Sequence, residues 1–212
     1  DGSTLAVTGA LTTTTTATLD VQETFTGTVS ATVHTELNKV DGQEISKVRK
    51  AGRYVRINCA THSATVNGPW GLGFSDVWRI NSVRKDTSAF TSATQGTDVT
   101  AHFELDTGQT DNLYKHGKLK KKTTSNLTIG GSDYLLIDVD YFTHDTSAGV
   151  GYFSVDSYPI DDINGSTANT NAITTQEIPF YISPVDNKLF KLRDSFDFRG
   201  RITDTATDTT TV

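Results

Sequence analysis

Tyr134-Leu135-Leu136-Ile137-Asp138-Val139-Asp140-Tyr141-Phe142 is a long apolar run interrupted by two aspartates spaced by two. Residues two apart share one face of a strand, so the run reads as a central strand with one wetter face. Working outward, Glu44 to Arg56 continues the pattern with charge interleaved around Ile45, Val48 and Tyr54. Val55, Ile57 and Cys59 then fall on one face, which makes Cys59 a buried core thiol. Thr24 to Val33 alternates as a strand with Phe25, Val29, Ala31 and Val33 inward, and Trp78 and Ile80 alternate against Val77, Arg79 and Asn81. Turn signals at Asp41-Gly42, Asn67-Gly68-Pro69, Gly130-Gly131, Asn164-Gly165 and Ser183-Pro184 punctuate these segments at sandwich-like spacing. No apolar period near 3.6 supports a long helix, and one short turn is expected at Asn187 to Arg193.

The fold class expected is therefore all-β, an antiparallel β-sandwich of immunoglobulin-like kind. Two organisations stay open. In one, residues 1–22 are a linker or edge strand, 23–95 a sandwich unit, 96–202 a second β unit and 203–212 a Thr-rich exit, with the boundary in Ser88 to Gly96. In the other, a single sheet system carries a long crossing loop at Asn164 to Thr175.

Composition agrees. Threonine is about one residue in six, and β-branched residues suit a pleated surface. The chain of 212 residues is long enough to bury a sizeable core. It has no methionine, so Asp1 is not expected to be its natural beginning. No apolar window of membrane-spanning length occurs, so membrane insertion is not expected. A formal charge of -6 argues against nucleic acid as a partner. The one basic cluster, Lys115, Lys118, Lys120, Lys121 and Lys122, reads as a solvated strand that discourages unwanted pairing. With a single cysteine there is no internal disulfide.

Several short signatures occur in order: Gly73-Phe74-Ser75-Asp76-Val77-Trp78-Arg79-Ile80, an acidic turn before Tyr114, His116 and Gly117, then Tyr141-Phe142-Thr143-His144. They are followed by Asp156-Ser157-Tyr158, Leu192-Arg193-Asp194 and Asp197-Phe198-Arg199. The series resembles a segment of large structural proteins of tailed bacteriophages, the tail, baseplate and fibre-attachment polypeptides of marine myoviruses. It covers roughly the last two thirds of the chain, and it departs at Gly200, where family members tend to carry proline. The resemblance implies location in the virion, other virion proteins as partners and a homo-oligomer, trimeric or hexameric. It brings no catalytic residue.

The search for chemistry is nearly empty. The histidines His34, His62, His102, His116 and His144 lack metal-ligand spacing, and no nucleophile elbow or phosphate-binding glycine loop occurs. No cofactor is expected beyond a structural calcium, for which Asp156, Asp161 and Asp162 are the candidate ligands. Trp70, between Pro69 and Gly71, is the candidate exposed ring for contact with a ligand such as a host surface glycan. Asp138 and Asp140 could in principle flank a glycosidic bond. Asp194 is expected to pair with Arg193 and Arg199. Three functions follow: a non-enzymatic virion module that docks neighbouring subunits, which is favoured, a receptor- or glycan-binding module, and a polysaccharide hydrolase.

Overall fold

The computed structural model describes residues 7–11, 17–21, 24, 26–27, 44–61, 68–145, 151–163 and 170–206. Most of the strand expected at Thr24 to Val33, the Asp41-Gly42 and Asn164-Gly165 turns, His34 and His62 lie outside the described residues. The chain divides into two units, Asp1–Asn38 and Lys39–Val212. In the first, strand β1 (Val7–Leu11) pairs antiparallel with β2 (Ala17–Val21), Val7 opposite Val21 and Leu11 opposite Ala17. The stretch expected as a linker or one edge strand thus forms a two-stranded pair.

In the second unit, β3 (Ser46–Asn58), β5 (Val77–Asp86), β6 (Thr97–Asp98) and β10 (Tyr134–Asp145) form one sheet in the order β3-β10-β5-β6. A three-stranded sheet has the order β4-β9-β7, from β4 (Trp70–Ser75), β7 (Phe103–Asp106) and β9 (His116–Lys121). The pairings within both sheets are antiparallel. Their inner faces meet in a core that includes Ile57, Trp70, Leu72, Phe74, Val83, Phe103, Leu119, Leu135, Ile137 and Val139, and the architecture is an antiparallel β-sandwich. Each such side chain contributes roughly 1.5–3 kcal/mol through burial. Gly117 on β9 permits the close approach of the sheets, because a Cβ there would lie 2.7 Å from Val77 Cγ2. Cys59 is buried as expected, and burial pushes its thiol up from the ordinary value.

The division at Lys39 lies upstream of Ser88 to Gly96, the boundary of one of the two organisations left open. β10 comes from beyond that stretch and lies between β3 and β5, which come from before it. A break there would leave the central strand without partners.

β10 is buried on both faces. Its far end places Phe142 in a second cluster with Tyr158, Ile173, Ile178, Tyr181 and Leu192. Two further short pairs belong here: β11 (Phe180–Ile182) with β12 (Leu189–Lys191), antiparallel, and β8 (Leu113–Tyr114) with β13 (Gly200–Arg201), parallel. Gly200, the departure from the phage pattern, sits in that last pair opposite Leu113. In place of the turn expected at Asn187 to Arg193, a single 3-10 turn spans Leu192–Asp194.

An irregularity in β3 sets up everything that follows. Val139 pairs with Arg53 and Tyr141 with Lys50, so two residues of β3, Ala51 and Gly52, oppose one of β10. Gly52 has φ 61°, a conformation glycine adopts at little cost, and an inserted residue moves every later side chain to the other face. Lys47 and Arg49 therefore leave the face of Val55 and Ile57 for that of His144 and Phe142, where they are 2% and 5% exposed, while Val48, opposite Thr143, is 45% exposed. Two cations are thereby carried into the second cluster, and the fold must answer them with anions.

Candidate functional site

The first answer is Asp140. Its carboxylate accepts from Arg49 Nη2 at 2.6 Å, Arg79 Nε at 2.9 Å, Asn81 Nδ2 at 2.8 Å and the Gly52 amide at 2.9 Å. Arg49 also donates to the Ala172 carbonyl at 2.9 Å, and both guanidiniums lie over the Trp78 ring. Burial alone would raise the Asp140 carboxyl, but these donors outweigh it and hold it below the usual range. Asp138 shares Asn81 at 3.0 Å and is pushed up, mainly by burial. The aspartates spaced by two therefore bridge strands of one sheet, and Asp140 is consumed by ion pairing.

The second answer is Asp76, at the corner between β4 and β5. Its Oδ2 lies 2.7 Å from Lys47 Nζ and 2.9 Å from His144 Nε2. Lys47 Nζ also donates to Tyr158 Oη at 3.2 Å and sits over the rings of Tyr114, Phe153 and Tyr158, 4.6, 4.6 and 4.8 Å from their centroids. Burial would raise Asp76, yet the Lys47 charge outweighs it and the carboxyl is held at about 2. Burial holds His144 below its ordinary value of 6.5, against the pull of Asp76. Because the unfolded chain then binds this proton more readily, stability is present above that value and drains as pH falls below it. The thermal midpoint should be lower at pH 5 than at pH 7 in calorimetry; an unchanged or higher midpoint would contradict a neutral buried His144.

The network continues outward to the C-terminal segment. Tyr114 Oη donates to Asp197 Oδ2, and Arg199 reaches both Asp197 oxygens, at 2.9 and 2.7 Å, and Tyr114 Oη at 2.9 Å. Arg199 lies 4.3 Å from the centroids of Tyr114 and Tyr181, and Tyr181 Oη donates to Asp111 at 2.6 Å. Burial pushes the Tyr181 phenol up to about 12. The ion pair expected between Asp194 and Arg199 is replaced by Asp197 with Arg199. Arg193 keeps only a loose 3.7 Å contact with Asp194.

These inward polar anchors decide what faces out. Asp197 and Phe153 exchange backbone hydrogen bonds at 2.8 Å, so the residues on either side of Asp197 alternate away from the core. Phe196 and Phe198 are 71% and 73% exposed. In β11, Tyr181 turns inward, and the hydrocarbons Phe180 and Ile182 turn outward. Ile182 is opposite Leu189 of β12, also exposed. Phe190, Phe196, Phe198 and Val185 line a cleft of ≈590 Å³ with Tyr181 and Leu192. Soluble monomers rarely leave so many large hydrocarbons outside, and such patches mark interaction sites. The inversion of the usual pattern, polar-tipped residues in and phenylalanines out, is legible in Phe196-Asp197-Phe198, but sequence reasoning assigned that stretch to an ion-paired exit.

The other candidates fare as follows. Trp70 is 4% exposed and packs edge-on against Phe103 at 6.0 Å, so it is a core ring and not a ligand platform. Asp162 caps Thr175, accepting from its amide at 2.7 Å and its hydroxyl at 2.6 Å. Asp156 lies in a 3-10 turn capped by Ser154. Among the described residues no group of three or more His, Cys, Asp or Glu could hold a metal, so Asp156, Asp161 and Asp162 do not converge as a calcium site. Of the lysine cluster, Lys118, Lys120 and Lys121 lie in β9, where Lys120 pairs with Asp106 at 2.7 Å; just beyond it Lys122 reaches the Ala101 carbonyl at 2.9 Å. Asp106→Asn should change the urea-derived stability by no more than about 1 kcal/mol, since the pair is solvent-screened; a larger loss would mean the strand depends on it.

Fold and site together define a β-sandwich module with an apolar face held out by a buried charge network. The chain matches no protein-family model, no curated protein and no solved structure.

Proposed function

We propose that this chain is a non-enzymatic structural module of a tailed-phage particle, part of a tail, baseplate or fibre-attachment protein, and that it docks copies of itself through its apolar face. The observation that carries this reading is the exposure of Phe180, Ile182, Val185, Leu189, Phe196 and Phe198 around the cleft and on the adjoining β11–β12 pair. Charges of both signs meet it, since Asp111 and Asp186 line the cleft and Lys188 lies over its Phe190 ring. Such a rim lets copies meet around a rotation axis with different parts of the face in contact and opposite charges opposed, which favours further copies over a uniformly charged partner. The phage-like signatures supply the particle context, and their terminal piece, Asp197-Phe198-Arg199, belongs to this face. The glycan-binding alternative was tied to Trp70 and loses that support with the ring in the core.

Sedimentation velocity of the full chain over a range of concentrations tests the docking. The reading expects reversible assembly to a closed oligomer, trimer or hexamer. A chain that stays monomeric at the highest concentration would contradict docking between copies.

A further inference from the structure

We propose that Lys47 and Asp76 become joined in the folded chain by an amide bond between Nζ and Cγ, a self-made cross-link that does not depend on the phage reading. The two groups meet as reactants held together: Nζ lies 2.7 Å from Oδ2, with the side chains 0% and 3% exposed. The surroundings of Nζ are aromatic, formed by Tyr114, Phe153, Tyr158 and, at 5.8 Å, Phe142. Asp76 holds φ 54°, a left-handed conformation that aspartate adopts more readily than most non-glycine residues, at the turn between β4 and β5. His144 Nε2, 2.9 Å from the same Oδ2, supplies a proton relay at the oxygen that must leave.

The step balances without any co-reactant. One proton passes from the Lys47 ammonium to the Asp76 carboxylate along their hydrogen bond, which gives a neutral amine and a neutral acid. The Nζ lone pair adds to Cγ and forms the C–N bond. A second proton leaves Nζ and reaches Oδ2 through His144, which gives up its Nε2 proton and regains one. The Cγ–Oδ2 bond then breaks, and Oδ2 departs as water with both protons. Ammonium plus carboxylate becomes amide plus water, and the charge is zero on both sides.

Two physical terms favour this. Fixed neighbours react as if at very high concentration, with effective molarities of about 10⁵–10⁸ M for well-oriented pairs. In water, ionisation of the separated amine and acid opposes condensation. In the core the pair must give up the attraction that holds both groups charged, and the neutral amide in return ends the desolvation cost of two buried ions. Mechanically, the bond would tie β3, at one edge of the four-stranded sheet, to the corner where β4 passes into β5.

Intact mass spectrometry of the folded, then denatured, full chain is the test. The expected result is a mass one water below that of the sequence, a branched peptide joining Lys47 to Asp76, and no tryptic cleavage after Lys47. The Lys47→Arg variant, whose guanidinium does not condense, should show the full mass. A folded wild-type chain of full mass would overturn the proposal, and so would a water loss that maps elsewhere, such as to an Asp-Gly succinimide. Neither reading depends on whether a variant folds.

Discussion

Asp140→Ala should cost about 3–5 kcal/mol, the loss expected when one partner of a buried ion pair is removed and the other is left behind. Arg49, which the bulge at Gly52 forces inward, would keep its position under Trp78 with no carboxylate to meet Nη2. The Gly52 amide and Asn81 would lose their acceptor as well. With a urea slope of about 2 kcal/mol per molar, the midpoint should fall by roughly 1.5–2.5 M. Asp138→Ala, which removes only the Asn81 contact from a carboxyl already pushed up by burial, should be far milder. Equal losses at the two positions would contradict the account of the network. The same network should respond to acid. The depressed Asp140 carboxyl contributes fully above its ordinary value of 3.8, and its contribution drains as pH falls through the depressed one.

The double variant Phe196→Ser with Phe198→Ser should abolish self-association and leave the fold intact. Both rings are largely exposed, and each meets the Tyr152 ring, at 5.7 and 6.0 Å between centroids. Removal therefore costs little within one copy. At an interface, aromatic anchors of this kind carry 2 kcal/mol or more each, so two of them correspond to a weakening of about a thousandfold. Sedimentation would show a monomer at concentrations where the wild type is assembled, with the urea midpoint nearly unchanged. Unaltered assembly would place the contact elsewhere; a collapsed midpoint would show that the rings are core.

Much of this fold is legible in the sequence because strands announce themselves by period. The Tyr134 to Phe142 run is the central strand, and Val55, Ile57 and Cys59 line one core as the alternation requires. What alternation cannot carry is a change of phase. Gly52 reads as an ordinary residue within a strand, yet it marks the inserted position that moves Lys47 and Arg49 off the face of Ile57 and onto that of Phe142 and His144. Every feature downstream of that flip was hidden: the pairing of Lys47 with Asp76, the consumption of Asp140 and the burial of Tyr114. Trp70 was misread for a related reason. Flanking proline and glycine suggest an exposed turn, but the ring reaches over Gly68 to Phe103, and a Cβ at Gly68 would lie 2.6 Å from it. The three acidic positions after Tyr152 looked like a cation loop because oxygen-rich turns and calcium loops share composition. The side chains separate only when backbone caps are assigned.

Peptide mass spectrometry of purified tailed-phage particles, from the sample in which this sequence occurs, tests the central claim most directly. The account predicts peptides of this chain in intact particles, at a constant ratio to other structural proteins across a density gradient. Particles free of these peptides, with the chain recovered only from the soluble lysate, would contradict it.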